Sequence, residues 1–254
     1  MVVLRFSAIK GTTMKTRQKL RKGIILSAFF LFPALFYYLS PVIIVQATLA
    51  GIINGSFIMF LLMFLSALVL GRAYCGWLCP GAGCQEAIFE ARDKKVTRGD
   101  SIKWIIWVPW ICMIVLLAIR RGGYEKIDFF YRTKYGLSIG DISALIAYFC
   151  VLLFLIVLPA FIVGRRSFCH HLCWMAPFMI IGRTIRNKVK WPSLHLKADS
   201  EKCRHCHSCN ENCPMSLPVE MMVKTNKMEH RECILCGTCI YGCKFDVIRF
   251  AFFD

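Results

Sequence analysis

Acidic side chains are scarce in this sequence. Its 254 residues include 15 Asp and Glu against 32 Lys and Arg, for a formal net charge of +17. The long apolar runs contain no Asp or Glu, so a proton path through them would have no carboxylate to use. The glycine patterns of P-loop and Rossmann nucleotide sites are missing too. Because no nucleophile triad or acid–base pair is evident either, we expect neither hydrolytic nor nucleotide-dependent chemistry.

Apolar residues make up 57% of the chain, and its mean hydropathy is +0.55. Uncharged apolar runs cover residues 24–45, 52–70, 104–119 and 142–163. A hydrocarbon core of about 30 Å needs about 20 helical residues, which the first, second and fourth runs provide. The third run is short and contains Pro109, but Trp104, Trp107 and Trp110 near its start suit a membrane interface. The sequence therefore predicts an α-helical integral membrane protein with four transmembrane helices.

The distribution of basic residues predicts an orientation. They cluster in the first 23 residues and after the second and fourth runs, whereas residues 46–51 carry no charge and the 120–141 loop is mixed. By the positive-inside rule, both termini should be cytoplasmic and these two loops should lie outside. Basic residues that flank spans also favour a membrane role over a nucleic-acid partner. The first run exceeds the roughly 7–15 apolar residues of a signal peptide, so we interpret it as an uncleaved span.

Eight cysteines near the C-terminus form two runs of one spacing, C-x-x-C-x-x-C-x-x-x-C. In two-cluster ferredoxins such runs bind two 4Fe–4S clusters, and the fourth cysteine of each run binds the other cluster. We therefore assign one cluster to Cys203, Cys206, Cys209 and Cys243. We assign the second cluster to Cys233, Cys236, Cys239 and Cys213. Zinc sites or disulfides are the alternative, but zinc ribbons use pairs of cysteines and disulfides are rare in the cytosol.

A further group of cysteines lies in two matching segments, "RAYCGWLCPGAG" at 72–83 and "RSFCHHLCWMAP" at 166–177. The offset is 94 residues, and each segment follows an even-numbered apolar run. This pattern indicates a two-fold internal repeat about an axis along the membrane normal, with both segments on the cytoplasmic side. Cysteines four apart on a helix share one face. We expect an additional iron or iron–sulfur centre held by Cys75, Cys79, Cys169 and Cys173.

The charge beside these four thiols has two interpretations. Arg72 and Arg166, one in each repeat, would offset the charge of thiolate ligands. Alternatively, the cysteines are packing or redox-active thiols and the arginines are ordinary anchors at the membrane surface.

The sequence predicts three parts of the chain: a basic tail (1–23), a membrane domain (24–199) and a two-cluster ferredoxin domain (200–254).

These motifs together resemble the membrane-bound polyferredoxins of the NapH, NosR and CcoG type, most closely the NapH type. The resemblance covers about residues 24–250. The family's paired motif ends in Cys-Pro, but Cys173 is followed by Trp174. The second ferredoxin run also lacks its final proline, because Lys244 follows Cys243. The resemblance implies electron transfer at the cytoplasmic membrane, between a quinone or quinol or another membrane redox partner and carriers on the cytoplasmic side.

Two other functions remain open at this point. One is a metal-ion reductase or a maturation factor for a respiratory enzyme, as in the copper-reductase relatives. The other is a non-catalytic redox anchor or regulator within a larger complex. Other redox subunits, membrane lipid and a quinone are the expected partners. If a quinone binds on the outer side, Asp128, Tyr131 and Arg132 are the polar groups available to it.

Overall fold

The computed structural model describes residues 2–91, 93–96, 99–138, 140 and 142–252. Arg92 and Arg98, which contribute to the predicted charge asymmetry, and Asp141 of the outer loop lie outside the described residues. The chain is largely helical. The α-helices are α1 (Val2–Phe30), α2 (Phe32–Leu35), α3 (Pro41–Leu49), α4 (Gly55–Leu70), α5 (Ala73–Trp77), α6 (Pro80–Ala91), α7 (Ile102–Arg121), α8 (Ile142–Cys150), α9 (Leu158–Ile162), α10 (Ser167–His171), α11 (Ala176–Val189), α12 (Ser208–Glu211), α13 (Val219–Lys224) and α14 (Thr238–Tyr241).

The strands form two separate pairs. β1 (Ile52–Asn54) pairs in parallel with β2 (Lys126–Asp128), and β3 (His195–Ala198) pairs antiparallel with β4 (Ile248–Ala251). Short 3₁₀ helices cover Tyr37–Leu39 and Ser200–Lys202, and a π-helical segment covers Val151–Val157. Since β3 pairs with the last strand, the C-terminal unit includes residues before the predicted boundary at 200.

The first apolar run is not the single transmembrane helix that we predicted. α1 ends at Phe30, and the rest of the run is divided among α2, a 3₁₀ helix and α3. Pro33 lies in the first turn of α2, and Pro41 begins α3. Proline has no N–H to donate and its ring clashes with the preceding turn of a helix. A continuous helix through this run is therefore disfavoured.

The second run forms a helix too short to qualify as a span. α4 has 16 residues, about 24 Å at 1.5 Å per residue, and both of its ends are well defined. The side chain of Asn54 caps its first turn by accepting a hydrogen bond from the Phe57 N–H, and Gly71 ends it at a φ of 56°. The described residues contain two helices long and apolar enough to cross a membrane, Ile102–Arg121 and Ile142–Ile162. This result corrects the expected count of four spans.

The two qualifying helices expose most of their apolar surface. Within the most apolar 18 residues of each helix, only 11% of Ile102–Arg121 and 17% of Ile142–Ile162 is buried inside the protein. The core helix of a soluble protein would be mostly buried, whereas helices facing lipid need no protein cover. α3 packs against the first of these helices and α6 against the second, and the β1–β2 pair joins the loop after α7 to the residues before α4.

The buried core is continuous between the helical region and the C-terminal unit. Side chains from both, including the four repeat cysteines and the Ile234–Leu235 dipeptide, belong to one buried cluster. Polar contacts join the same surfaces, since Leu194 N–H donates to Val69 O and Trp77 Nε1–H donates to Leu235 O. The C-terminal unit is thus packed on the helical region, at the end where α4 terminates.

Candidate iron–sulfur sites

Cys203, Cys206, Cys209 and Cys243 line one cavity in the C-terminal unit. We call these four the outer set. The first three lie in the turns before and at the start of α12, where His205 and His207 adopt left-handed backbone conformations. Cys243 comes from the end of the second run. Cys206 is exposed and the other three are partly exposed, so this set lies at the protein surface.

Cys213, Cys233, Cys236 and Cys239 line a second cavity. We call these four the middle set. The grouping pairs the last cysteine of each run with the first three of the other, as the spacing predicted. All four are buried, and the remaining wall is mainly aliphatic and methionine side chains. Burial raises the pKa of Cys213 to about 12, because a thiolate is poorly solvated there.

Cys75, Cys79, Cys169 and Cys173 form the third group, which we call the inner set. The two pairs are held by two turns of the same kind. Neither turn is the continuous helical face that we predicted. α5 ends before Cys79 and α10 ends before Cys173, so neither pair lies on one helical face. Instead, the N–H of the second cysteine of each pair donates to a carbonyl five residues earlier, Cys79 to Tyr74 O (3.0 Å) and Cys173 to Phe168 O (2.9 Å).

The proline mismatch between the two repeats has little effect on this geometry. Pro80 follows Cys79 directly and begins α6, whereas Pro177 lies in the first turn of α11, three residues after Trp174. Proline is favoured in the first turn of a helix because the N–H groups there have no intrahelical partner. Both motifs therefore lead into a helix with proline at its start.

The four thiols of the inner set belong to one buried cluster of side chains. Each is at most 7% exposed. Burial raises the pKa of Cys79 to about 12, and the charges of Cys75 and Cys169 add to this rise. Burial likewise raises the pKa of Cys173, with further contributions from the other three cysteines. Burial thus favours the neutral form of these thiols, and any of them that ionises needs its charge offset by cations or a bound metal.

Two buried ion-pair groups flank the inner set. Arg166 and Arg21 both contact the Glu86 carboxylate, with Arg21 at 2.8 Å. Arg72 and Lys103 both contact the Glu232 carboxylate, at 2.8 and 2.6 Å. All six side chains are buried. Four cations against two carboxylates leave a local excess of about two positive charges, which is suited to an anionic metal–thiolate group.

The same arginines have hydrogen-bond donors without acceptors. Among the described residues, Nε and Nη2 of Arg72 and Nε of Arg166 are buried and unpaired. Buried donors without partners are costly, and guanidinium groups next to thiolates are suited to donate to the sulfur atoms of a bound cluster. The inner set therefore fits an iron–sulfur cluster in charge, donor type and ligand number. No group of three or more described His, Cys, Asp or Glu side chains is arranged to hold a single metal ion.

The inner and middle sets are in direct contact through the backbone. A Cβ added at Gly76 would lie 2.4 Å from Ile234 O and 3.3 Å from Cys236 N. Only glycine permits such a close approach. Gln18 Nε2–H also donates to Cys236 O at 3.0 Å. Gly76, which follows Cys75, thus packs directly against the loop that carries the middle set.

Several sequence-predicted residues lie elsewhere. Asp128, Tyr131 and Arg132 are in the outer loop, where the Asp128 carboxylate accepts from the Phe130 N–H and the Arg132 guanidinium lies 5.9 Å from the Tyr131 ring centre. Arg132 is exposed and the other two are partly exposed. The structure therefore places the three in one loop, after α7.

Sequence reasoning missed the partners of the two repeat arginines. Arg21 appeared to be part of a solvated basic tail, yet it is 1% exposed. Glu86 and Glu232 are 65 and 160 residues from their partners Arg21 and Arg72. The only available signal was the rarity of acidic residues, which makes each carboxylate near a cysteine motif informative. Burial alone would raise the pKa of Glu86, but the charges of Arg166 and Arg21 and their hydrogen bonds hold it below its usual value.

Comparisons with known proteins agree with this arrangement. The family model described as "4Fe-4S binding domain" matches residues 53–99 and matches again at 144–192, so its two matches fall on the two copies of the repeat. The model described as "4Fe-4S dicluster domain" matches residues 195–244. These matches, together with relatives named as ferredoxin-type proteins, support a polyferredoxin of the NapH type. The resemblance drawn from the cysteine motifs is therefore confirmed.

Individual relatives of this polyferredoxin are distant in sequence. The uncharacterized protein MJ0749 of Methanocaldococcus jannaschii is 26% identical over 85% of this chain and 80% of its own length. The methylamine utilization ferredoxin-type protein MauN of Methylorubrum extorquens is 26% identical over 68% of this chain and 59% of its own. The ferredoxin-type protein NapH of Haemophilus influenzae is 24% identical over 72% and 63%. No solved structure matches. These family models and relatives support an iron–sulfur electron-transfer role.

Proposed function

We propose that this polyferredoxin is a membrane electron-transfer subunit with three 4Fe–4S sites in a row. The outer set and the middle set each supply four cysteines to one cluster of the ferredoxin unit. The inner set supplies the four ligands of a third cluster, between the two repeats. When bound, these clusters supply one-electron transfer at potentials that depend on hydrogen bonds and solvent exposure.

The unpaired donors of Arg72 and Arg166 carry the proposal for the inner site. A buried guanidinium N–H without an acceptor is unfavourable, so a protein that keeps such donors beside four thiols has a use for them. The excess of buried cations over carboxylates supports the same conclusion, since it offsets the negative charge of four thiolate ligands. The repeat places one arginine beside each cysteine pair, which explains why both copies retain it.

The order of the sites follows from contact and exposure. Gly76 joins the inner set to the loop of the middle set, and both of these sets are buried. The outer set shares its unit with the middle set and includes the exposed Cys206. We infer that a membrane-side partner exchanges electrons near the inner set and that other redox proteins dock near the outer set. The direction of flow depends on these partners.

We further propose that the two qualifying helices cross the cytoplasmic membrane and that the C-terminal unit lies on the cytoplasmic side. Arg165 and Arg166 follow the end of the second qualifying helix, a position that the positive-inside rule assigns to the cytoplasmic side. Reporter fusions in the 124–138 loop and after residue 200 should report opposite sides. If both report the same side, the orientation is wrong.

Counting iron and acid-labile sulfide tests the number of sites. The full chain, purified without oxygen, should hold about twelve irons, and a variant with all four inner cysteines replaced by serine should hold about eight. Serine preserves the size of the side chain and removes the thiolate. A value of about eight in both proteins would exclude the inner cluster, and zinc in place of iron would exclude all three.

A further inference from the structure

Gln85 and Met179 occupy equivalent positions in the two repeats. The offset between them is 94 residues, the same as between Cys75 and Cys169. Gln85 lies on α6 and Met179 on α11, the helices that follow the two cysteine pairs. Gln85 is 1% exposed and Met179 is fully buried. A buried glutamine needs hydrogen-bond partners, whereas a buried methionine needs only apolar contacts. The two repeats therefore place different chemistry at one position.

Each of these two side chains contacts the first cysteine of the other repeat. The Nε2–H of Gln85 donates to Sγ of Cys169 at 3.4 Å. The Sδ of Met179 lies 3.4 Å from Sγ of Cys75. The two contacts thus correspond to each other under the repeat, and both cross from one repeat to the other. They differ in chemistry rather than in position.

Hydrogen bonds fix the orientation of the Gln85 amide. Its Oε1 accepts from the Phe168 N–H at 3.1 Å, and its Nε2–H also donates to Gly81 O at 3.2 Å. A backbone N–H can only donate and a backbone carbonyl can only accept, so the amide NH₂ group must face the sulfur. Phe168 lies in the first turn of α10, where N–H groups have no intrahelical partner. Gln85 therefore holds the helix that carries Cys169 and directs a donor at its sulfur.

The two side chains differ in what they offer to a sulfur ligand. An amide N–H points the positive end of its dipole at the sulfur. This interaction strengthens as the sulfur gains negative charge, so it favours the reduced state of a bound cluster and raises its reduction potential. A thioether has no N–H or O–H to donate. Met179 therefore fills the equivalent space without supplying a donor.

We propose that Gln85 is a positioning residue of the inner site, which orients Cys169 and raises the reduction potential of the cluster through its hydrogen bond to the Cys169 sulfur. The amide at Cys169 corresponds to a thioether at Cys75, so the contributions of the two repeats to the cluster are electronically unequal. This deepens the proposed function, on which it rests, because it requires a cluster bound by the inner set. Gln85 lies outside both cysteine motifs, and the structure thereby gives it a role.

Substituting each side chain by the other tests this proposal, because glutamine and methionine are similar in size. In a redox titration of the full chain monitored by EPR, Gln85→Met should lower the potential of the inner site. The ratio of reduced to oxidised inner cluster at a fixed ambient potential should fall about threefold to tenfold, the contribution of one hydrogen bond. Met179→Gln should raise the same ratio by placing a second amide at Cys75. The potentials of the middle and outer sites should stay unchanged in both variants.

The opposite signs of the two shifts distinguish the proposal from a purely structural role. Lost packing would not raise the potential in one variant and lower it in the other. A fall of equal size in both variants would therefore indicate a packing effect and overturn the inference. An unchanged inner potential in Gln85→Met would overturn it as well.

Selective ¹⁵N labelling of glutamine provides a readout that needs no substitution. The inner EPR signal of the labelled, unsubstituted chain should show coupling to a glutamine ¹⁵N nucleus, and absence of this coupling would refute the hydrogen bond. Gln85→Met should remove the coupling, although Gln18 and Gln46 remain labelled.

Iron and sulfide contents separate this inference from the proposed function. About twelve irons with an unchanged inner potential in Gln85→Met would refute only the role of Gln85. About eight irons in the unsubstituted chain would refute the inner cluster itself.

Discussion

The inner and outer cysteine sets contain the same kind of ligand in opposite surroundings. The inner thiols are at most 7% exposed and lie between two buried ion-pair groups. The outer set includes an exposed cysteine, and Glu220, which lines the same cavity, pairs with the surface side chains of His205 and Lys224. In the outer set water can screen and solvate the ligand charge, whereas in the inner set fixed protein charges must do so.

We propose that this difference gives the inner and outer cysteine sets separate tasks. Burial protects the inner site from water and makes it sensitive to each neighbouring charge. Exposure makes the outer site accessible to a protein partner at a cost in protection. The cysteines of the middle set are buried, and they lie in the same unit as the outer set. The middle set is therefore placed between the inner and outer sets.

Access of a chelator should separate the two sites most clearly. Incubating the oxidised protein with a bulky iron chelator should remove iron from the outer set while the inner set keeps nearly all of its own. Exposed Cys206 allows approach, and the inner set has no comparable opening. Iron release can be followed by absorbance, with the remaining clusters identified by EPR. Simultaneous loss from all sites would contradict the contrast in exposure.

Removing Glu86 should destabilise the chain strongly. Glu86→Ala leaves Arg21 and Arg166 buried without their carboxylate, and breaking a buried pair in this way costs about 3–5 kcal/mol. Thermal unfolding in detergent would measure the loss. Glu211→Ala is the matched control, because its pair with Lys95 is exposed and surface pairs contribute about 0–1 kcal/mol. Equal effects of the two substitutions would contradict the importance of burial.

Removing the charge of Glu232 should change reduction potentials. Glu232→Gln eliminates a negative charge beside Arg72 and Lys103, which favours the more negative, reduced state of a nearby cluster and raises its potential. Redox titrations monitored by EPR would show this for the inner and middle sites. Glu220→Gln, near the outer set, should produce a smaller change because solvent screens it. A larger shift in the Glu220 variant would reverse the ranking of the two environments.

The smallest effect is expected at the contact between the helical region and the ferredoxin unit. Trp77→Phe keeps an aromatic ring and removes the donor to Leu235 O, 3.1 Å away. The loss of one such bond costs about 0.5–1.5 kcal/mol. Hydrogen exchange in residues 233–239 should accelerate, while exchange around the outer set stays unchanged. Uniform acceleration in both regions would indicate that the bond does not act locally.

Local patterns in the sequence predicted much of this arrangement. The spacing of the C-terminal cysteines predicted which four share a cavity, because ligand loops are short and their geometry is local. The 94-residue repeat predicted that the two membrane pairs meet. The two ferredoxin ligand sets and the inner ligand set themselves stay predictions until iron is measured.

Features that depend on distant contacts could not be predicted. Nothing near Arg72 indicates that Glu232 of the ferredoxin unit will neutralise it, since ion pairs leave no spacing pattern. The helical-face argument for each cysteine pair was wrong because α5 and α10 are too short to include the second cysteine. Pro33 and Pro41 indicated a break in the first run. The high overall hydropathy of that run nevertheless favoured a single span.

EPR of the fully reduced protein tests the central claim most directly. Three neighbouring clusters predict a spectrum broadened by magnetic interaction, with a third reducible component beyond those of the two-cluster ferredoxin unit. Replacing Cys75, Cys79, Cys169 and Cys173 with serine should remove that component and leave the signals of the middle and outer sites. An identical spectrum and spin count in the wild-type protein and the four-serine variant would contradict the account.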